Sequence, residues 1–324
     1  MQKAHSQNRL AGHAQPNFDL QCAAMGEAKR KREAVLNGPC PCGSRKTARL
    51  CCFNGQGWHK PPAVLGFKTL PATGRVEKCY MKELGSCVAP ISAEHIISDS
   101  VCRVLMGDGE FSISGVPWLE AGETKIMAPP QAKCLCTKHN SALSPLDAAA
   151  HYFFASLKSY LEHDAGSRHA ILSGHDLERW ILKIAKAAAV SRNLARGRER
   201  LSGAFSRDEA ILDMLDDPRH WSEGAGLYCI MNTGDIAENT PRFQFQPLTD
   251  EHDEIKALAI NIMGFRFELL LEAPDLSNHP SLIGARYRPS RILISYPTST
   301  NWVTLSWEDD KKHEELTVQW LQRR

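Results

Sequence analysis

The sequence has no run of 18 apolar residues and no hydrophobic signal-peptide core near Met1. We therefore expect a soluble, cytoplasmic protein. The net charge is also low, at +2 over 324 residues, which excludes a uniformly basic protein that coats nucleic acid. The positive excess is concentrated in residues 1–60, which hold ten Lys/Arg against three Asp/Glu. A hydrophobic content of 43% is enough for a sizeable core.

Cysteine, in contrast, is plentiful, with eleven residues, and most of them come in tight pairs. Without an export signal, such pairs predict metal sites rather than disulfides. We expect the isolated Cys22, Cys102 and Cys229 to be inert thiols. The pairs are Cys40/Cys42, Cys51/Cys52, Cys79/Cys87 and Cys134/Cys136.

The first cluster lies in the segment NGPCPCGSRKTARLCCFNG, where Pro41 and Gly43 permit a sharp turn. Four thiolates form a closed coordination shell, which is typical of structural zinc. A motif of about twenty residues cannot bury a core, so the metal would supply most of its folding free energy. The predicted zinc ligands are Cys40, Cys42, Cys51 and Cys52.

These four cysteines resemble the ligand pattern of the SEC-C motif. The resemblance implies a small zinc knuckle that contacts a protein partner or nucleic acid. Three cations, Arg45, Lys46 and Arg49, would give it positive charge. Residues 25–36, just before it, predict a short basic helix after a disordered tail. Its Lys-Arg-Lys-Arg run fits either phosphate contact or an ordinary solvated face, and both interpretations stay open.

A second group of chemically distinctive residues extends from Cys79 to Leu146. Cys136 and His139 have a Cys-x-x-His spacing, which puts both side chains on one side of a helix's first turn. Together with Cys79 and Cys87 they predict a second zinc site, with Cys134 as an alternative ligand. The zinc would hold three further residues near one another, where they bind a divalent ion and activate water. These residues are Glu94, His95 and Asn140.

Over this segment the sequence resembles the HNH nuclease family, which has a ββα-metal (treble-clef) motif. In the resemblance Glu94-His95 matches the acid–histidine pair, and Asn140 takes the place of the last histidine. Gln131 falls on or near the middle asparagine. The resemblance implies that His95 is a general base, and that Glu94 and Asn140 hold Mg²⁺ or a similar ion. The plain alternatives are a structural histidine and a helix-capping asparagine.

The rest of the chain predicts an α+β protein. We expect a short helix from Ser98, a strand through Phe111, Ile113 and Val116, and a helix capped by Ser144 that begins at Pro145. A second helix, with one apolar face, should cover Asp176–Arg196. A mostly antiparallel sheet should follow, with a final helix over Asp309–Leu321. Predicted strands are 227–231, 242–246, 258–271, 291–296 and 303–307.

The predicted domains are a flexible basic tail with a short helix (1–33), a zinc knuckle (34–57), a ββα-metal module (75–145) and a helical and β-rich domain (146–324). The leading hypothesis is a metal-dependent nuclease with two structural zinc ions, acting on nucleic acid, with DNA as the expected substrate. The alternative is a zinc protein without enzymatic activity that binds nucleic acid or a protein partner.

Overall fold

Helices and strands are interspersed in the computed structural model, which describes residues 18–107, 109–110, 112–116, 119–120, 123–126, 128, 130–162, 166–196, 199–207, 210–231, 242–275, 282, 284–309 and 311–319. The helices are α1 (Phe18–Asn37), α2 (Asp99–Met106), α3 (Thr137–Glu162), α4 (Gly174–Val190), α5 (Ala204–Arg207) and α6 (Ala210–Asp216). Among the described residues, no helix is long and apolar enough to cross a membrane. The fold is α+β.

The strands belong to four sheets within the described residues. They are β1 (Ile91–His95), β2 (Ser112–Ser114), β3 (Thr124–Ile126), β4 (Gln131–Cys136), β5 (His169–Ser173), β6 (Ala195–Arg196), β7 (Glu199–Arg200), β8 (Ser202–Gly203), β9 (Gly226–Ile230), β10 (Arg242–Thr249), β11 (Glu254–Ile262), β12 (Phe265–Leu270), β13 (Arg286–Tyr287), β14 (Arg291–Ser295), β15 (Thr300–Ser306) and β16 (Glu315–Gln319).

The largest sheet in the described part of the chain has eight strands, ordered β13-β9-β12-β11-β10-β2-β3, with β8 beside β11. Its pairs are antiparallel except β10–β2 and β11–β8. The long strand predicted over 258–271 is part of a hairpin of β11 and β12. Met263 and Gly264 turn the chain with φ angles of 54° and 80°, the left-handed conformation that tight hairpins require.

A second sheet has the order β16-β14-β15-β5, and its two outer strands run parallel to their neighbours. The predicted final helix over Asp309–Leu321 is therefore wrong. Leu316 and Val318 are buried while Thr317 between them is exposed, a period of two that suits a sheet. Ser98 is followed by α2 as expected. Of the predicted strand near residue 113, Ile113 is buried in β2, while Phe111 lies outside the described residues.

Helix α3 is continuous through Pro145, so the separate helix predicted to begin there is wrong. Proline has no N–H to donate to the carbonyl of Ser141. The hydroxyl of Ser144 donates to that carbonyl at 2.8 Å instead, which replaces the lost backbone bond.

The predicted domain boundary at residue 145 falls inside this helix. Strands β2 and β3, from the segment 75–145, pair within the largest sheet.

Helix α4 is buried on every side rather than on the single face predicted, and it ends at Val190. Its buried charges need partners, because an unpaired ion in a protein interior is costly. Arg179 pairs with Asp176 at 2.7 Å within the helix. Glu178 binds Arg288 at 3.0 Å.

At the N-terminal end of the chain, α1 begins at Phe18, earlier than the helix predicted over 25–36, and the tail before it lies outside the described residues.

Candidate metal centres and the adjoining cleft

The first cysteine cluster is arranged to hold a metal ion such as zinc. The Sγ atoms of Cys42 and Cys51 are 3.5 Å apart, and those of Cys51 and Cys52 are 3.7 Å apart. A tetrahedral zinc ion with Zn–S bonds of about 2.3 Å separates its sulfurs by about 3.8 Å. All four ligand atoms lie within 4.8 Å of one another, and no disulfide joins them. The four residues are Cys40, Cys42, Cys51 and Cys52.

The electrostatics of this cluster also favour a bound cation. Burial raises the pKa of Cys40 and of Cys52. Burial alone would raise the pKa of Cys42 too, but hydrogen bonds from the hydroxyl and backbone N–H of Ser44 lower it to about 6. One thiolate is thus favoured near neutral pH, while four adjacent thiolates would repel one another. A bound divalent metal ion removes that conflict.

The second cluster has three sulfurs gathered around one nitrogen of His139. The Nδ1 atom lies 3.4 Å from the Sγ of Cys79, 3.8 Å from that of Cys87 and 3.4 Å from that of Cys136. Zinc bonds of about 2.3 Å to sulfur and about 2.05 Å to nitrogen predict a separation of about 3.6 Å. All four residues are buried. The predicted alternative, Cys134, does not belong to the cluster, and burial raises the pKa of its thiol to about 12.

Ser86 fixes the orientation of the His139 imidazole. Its Oγ lies 2.9 Å from Nε2. A metal on Nδ1 requires the proton to be on Nε2, and in that tautomer Nε2–H donates to the Ser86 hydroxyl. Ser86 has no exposed surface. No sequence motif points to Ser86 as a partner of His139. The only available signal was its position directly before Cys87, at the Gly85 turn.

We expect Ser86→Ala to weaken zinc binding at this site by about 10–100-fold, the usual effect of losing a partner of a metal-bound histidine. The substitution leaves the Nε2–H buried without an acceptor. Competition with a chromophoric zinc chelator measures the change. Ser222→Ala, at an exposed serine far along the chain, is the control and should behave like wild type. Equal zinc affinity in the Ser86 variant would contradict the role assigned to Ser86.

The second cluster joins two strands and a helix. Cys136 is the last residue of β4, which pairs with β1 in antiparallel register, and His139 lies in the first turn of α3. The backbone N–H of Tyr80, next to Cys79, donates to the carbonyl of Cys134 at 3.0 Å. The chain therefore runs from a cysteine turn into β1, continues through α2, β2 and β3, and returns through β4 into α3. A metal at this point would hold the cysteine turn, β4 and α3 together.

Beside this cluster is an open cleft of about 430 Å³ between the end of β1 and the start of α3. The three residues predicted to be catalytic, Glu94, His95 and Asn140, all line it. The other lining residues are Ala93, Ser98, Asp99, Ser100, Ser141, Ser144 and Asp147. The roles of the three predicted residues stay predictions.

Two amide side chains, those of Gln131 and Asn140, make hydrogen bonds at the cleft. The amide nitrogen of Gln131 lies 2.9 Å from the Nε2 of His95, and the two residues are paired across β1 and β4. Asn140 donates from its amide nitrogen to the Ser92 hydroxyl at 2.9 Å. The Asn140 amide thus bridges α3 and β1, and its Oδ1 is the end left for a ligand.

Glu94 belongs to a buried ionic network that the sequence analysis missed. Its carboxylate lies 2.6 Å from the Nζ of Lys183, which also binds both carboxylate oxygens of Asp147 at 2.8 and 2.7 Å. Ser98 donates to Asp147 and accepts from the Trp180 indole N–H at 2.7 Å. Burial raises the pKa of Glu94, with partial opposition from Lys183. Burial would lower the pKa of Lys183, but the two carboxylates raise it.

The divalent ion expected at Glu94 and Asn140 has no preformed cage. Among the described residues, the two cysteine clusters are the groups of three or more His, Cys, Asp or Glu ligands within 4.8 Å, and neither includes Glu94. Asn140, Ser144 and Asp147 follow one another at helical spacing, a signal that would have pointed to Asp147.

Comparisons with known proteins add no relative: this chain matches no known family, no curated protein and no solved structure.

Proposed function

We propose that the protein is a metal-dependent nuclease of the HNH type, which hydrolyses phosphodiester bonds in the cleft between β1 and α3. The observation that carries the proposal is that His95, Asn140 and the carboxylates line one cleft, and that Asn140 directly follows His139 of the Cys₃His cluster. A cysteine turn, the antiparallel pair β1–β4 and helix α3 follow the order expected of a ββα-metal module, with α2, β2 and β3 inserted between the two strands. The first cluster, with its four cysteines, would be the SEC-C knuckle.

His95 would act as the general base, because histidine is the side chain that most often transfers protons in enzymes. Gln131 engages its Nε2. The oxygen and nitrogen of an amide can exchange places without changing its shape. With the carbonyl oxygen toward Nε2–H, Gln131 would leave Nδ1 as the nitrogen that accepts a proton from water. Gln131 is thus a positioning residue for His95.

A divalent ion such as Mg²⁺ fits the charge of the cleft, although the Glu94 carboxylate is buried and already contacts Lys183. Glu94 and Asp147 carry two negative charges and Lys183 one positive charge, so one negative charge is left over. Asp147 retains 25% of its side-chain exposure, against 4% for Glu94. Asn140 and the carboxylates would hold the ion together with water, since Mg²⁺ commonly takes only one or two protein carboxylates. When bound, it would stabilise negative charge on the phosphate.

We expect His95→Ala to lower metal-dependent cleavage by about 10²–10⁴-fold, the usual contribution of general-base catalysis. Supercoiled plasmid, single-stranded DNA and structured RNA, each with Mg²⁺ or Mn²⁺, are the substrates to test. His252→Ala, at a histidine with 78% side-chain exposure, is the control. Both variants should keep the wild-type zinc content and melting temperature. Equal cleavage by wild type and His95→Ala would exclude His95 from the mechanism.

The second candidate is a zinc protein without catalytic activity that binds nucleic acid or a protein partner. The observation in its favour is the Glu94–Lys183 contact, which occupies the carboxylate that an active site would use. Salt-sensitive nucleic-acid binding without cleavage in any metal would support it. Unchanged nucleic-acid mobility at low salt would favour a protein partner.

A further inference from the structure

Helix α1 has an exposed segment at residues 26–35. Every residue there is exposed, and the segment ends at Leu36, which is buried at 4% exposure. A helix stabilised by packing normally buries an apolar stripe, which this segment lacks. Its surface is available to a partner.

Positive charge dominates this segment and the adjoining knuckle. Seven exposed cations stand against two carboxylates, Glu27 and Glu33, between residues 26 and 50. Each carboxylate pairs with one cation, Lys31 at 2.7 Å and Arg49 at 2.5 Å. A zinc ion with four thiolates adds a charge of about −2, which still leaves a positive excess. The cations are Lys29, Arg30, Lys31, Arg32, Arg45, Lys46 and Arg49.

The helix and the knuckle are attached to each other. Arg49 donates to the Asn37 side chain at 3.3 Å as well as binding Glu33. The Arg32 guanidinium lies 5.7 Å from the ring centroid of Phe53, a cation–π contact. These contacts join the C-terminal part of the knuckle to the last turns of α1. The seven cations therefore form one surface, which we name the basic arm.

The knuckle is in turn docked on α3 and β5. The carbonyl of Pro41 accepts hydrogen bonds from the Tyr152 hydroxyl and from the backbone N–H of Ile171, the latter at 3.1 Å. Trp58 packs edge-on against His169, with ring centroids 4.9 Å apart. Tyr152 and Asn140 both lie on α3, separated by about 18 Å at a rise of about 1.5 Å per residue. The arm is thus fixed relative to the cleft through the knuckle and α3.

We propose that the basic arm binds the sugar-phosphate backbone of the nucleic acid whose phosphodiester bond enters the cleft. The inference takes the class of partner from the proposed function. A nucleic acid matches the charge of the arm and is long enough to contact the arm and the cleft together. The arm presents lysine and arginine, with no exposed aromatic side chain in residues 26–35, so it would contact phosphates rather than read bases.

The test neutralises three cations for which the described structure gives no side-chain partner, as Lys29→Gln, Arg30→Gln and Lys46→Gln together. Glutamine keeps the helix propensity. Three exposed lysines elsewhere supply a control with the same number of lost charges, Lys125→Gln, Lys256→Gln and Lys312→Gln; Lys256 pairs with Asp250 at 3.5 Å. Both sets are made in the full-length His95→Ala protein, so cleavage cannot disturb the measurement. Fluorescence anisotropy with a labelled 20-base-pair duplex, and with single-stranded RNA of the same length, is recorded from 50 to 200 mM salt.

We expect the arm variant to bind at least tenfold more weakly near 100 mM salt. The slope of log affinity against log salt should become shallower by about 0.9 for each lost duplex contact. The control set should keep both values, and both sets should keep the wild-type zinc content and melting temperature. An unchanged slope overturns the proposal. So does loss of binding to polyglutamate or to phosphatidylserine vesicles while nucleic-acid binding persists. A failed nuclease assay would leave this binding result intact, which separates the two proposals.

Discussion

Cys136→Ser is expected to reduce the zinc content from two ions per chain to one and to unfold the segment from β1 to the first turns of α3. The cluster contains three thiolates and His139, and Cys136 has no exposed surface. Structural zinc contributes an apparent binding free energy of about 10–16 kcal/mol in small zinc-finger peptides. A serine hydroxyl in place of the thiolate gives up a large part of that stabilisation. Elemental analysis counts the zinc, and circular dichroism follows thermal unfolding.

Cys134→Ser is the matched control for this prediction. Cys134 lies two residues earlier in the same strand, is 5% exposed and is outside the cluster. It should keep both zinc ions, with a modest loss of stability from placing a hydroxyl in a buried position. If both variants retained two zinc ions, or if Cys134→Ser were the one to lose zinc, the ligand set would be wrong.

The two metal clusters were predictable because cysteine spacing is a local signal. Cys40 and Cys42 are two residues apart and Cys51 and Cys52 are adjacent, so only a turn is needed to assemble the site. The choice between Cys134 and Cys136 was not local. The two residues are two positions apart in β4, and alternation along a strand directs both to the same face. The choice depends on which of them lies level with Cys79, Cys87 and His139, and only the folded structure shows that.

The ionic network could not be predicted from the sequence, because its members are far apart in the chain. Lys183 meets Glu94 and Asp147 only after α4 has packed against β1 and α3, and nothing in a lysine within an apolar helix predicts its partner. The final helix was wrongly predicted over Asp309–Leu321 for a related reason. Its charged residues suit a solvated helix, but β16 has β14 as a neighbour, and its two buried aliphatic side chains, Leu316 and Val318, pack in the sheet.

Lys183→Met should lower the free energy of unfolding by about 3–5 kcal/mol, the usual cost of breaking a buried ion pair by removing one partner. Lys183 is 2% exposed and is the cation between Glu94 and Asp147. Methionine matches much of its length, so the main change is the lost charge. Urea denaturation followed by circular dichroism measures the effect. A loss below about 1 kcal/mol, typical of a surface pair, would contradict the network.

Two further measurements on this variant test the role of the cleft. Adding Glu94→Gln to Lys183→Met removes one of the stranded negative charges and should recover part of the lost stability, as a double-mutant cycle would show. Mg²⁺ should stabilise Lys183→Met more than it stabilises wild type, because a cation bound at Glu94 and Asp147 replaces the missing ammonium. A variant that does not respond to Mg²⁺ would mean that these carboxylates serve only as counter-ions to Lys183. The candidate divalent site would then have to be built from Asn140 and His95 without them.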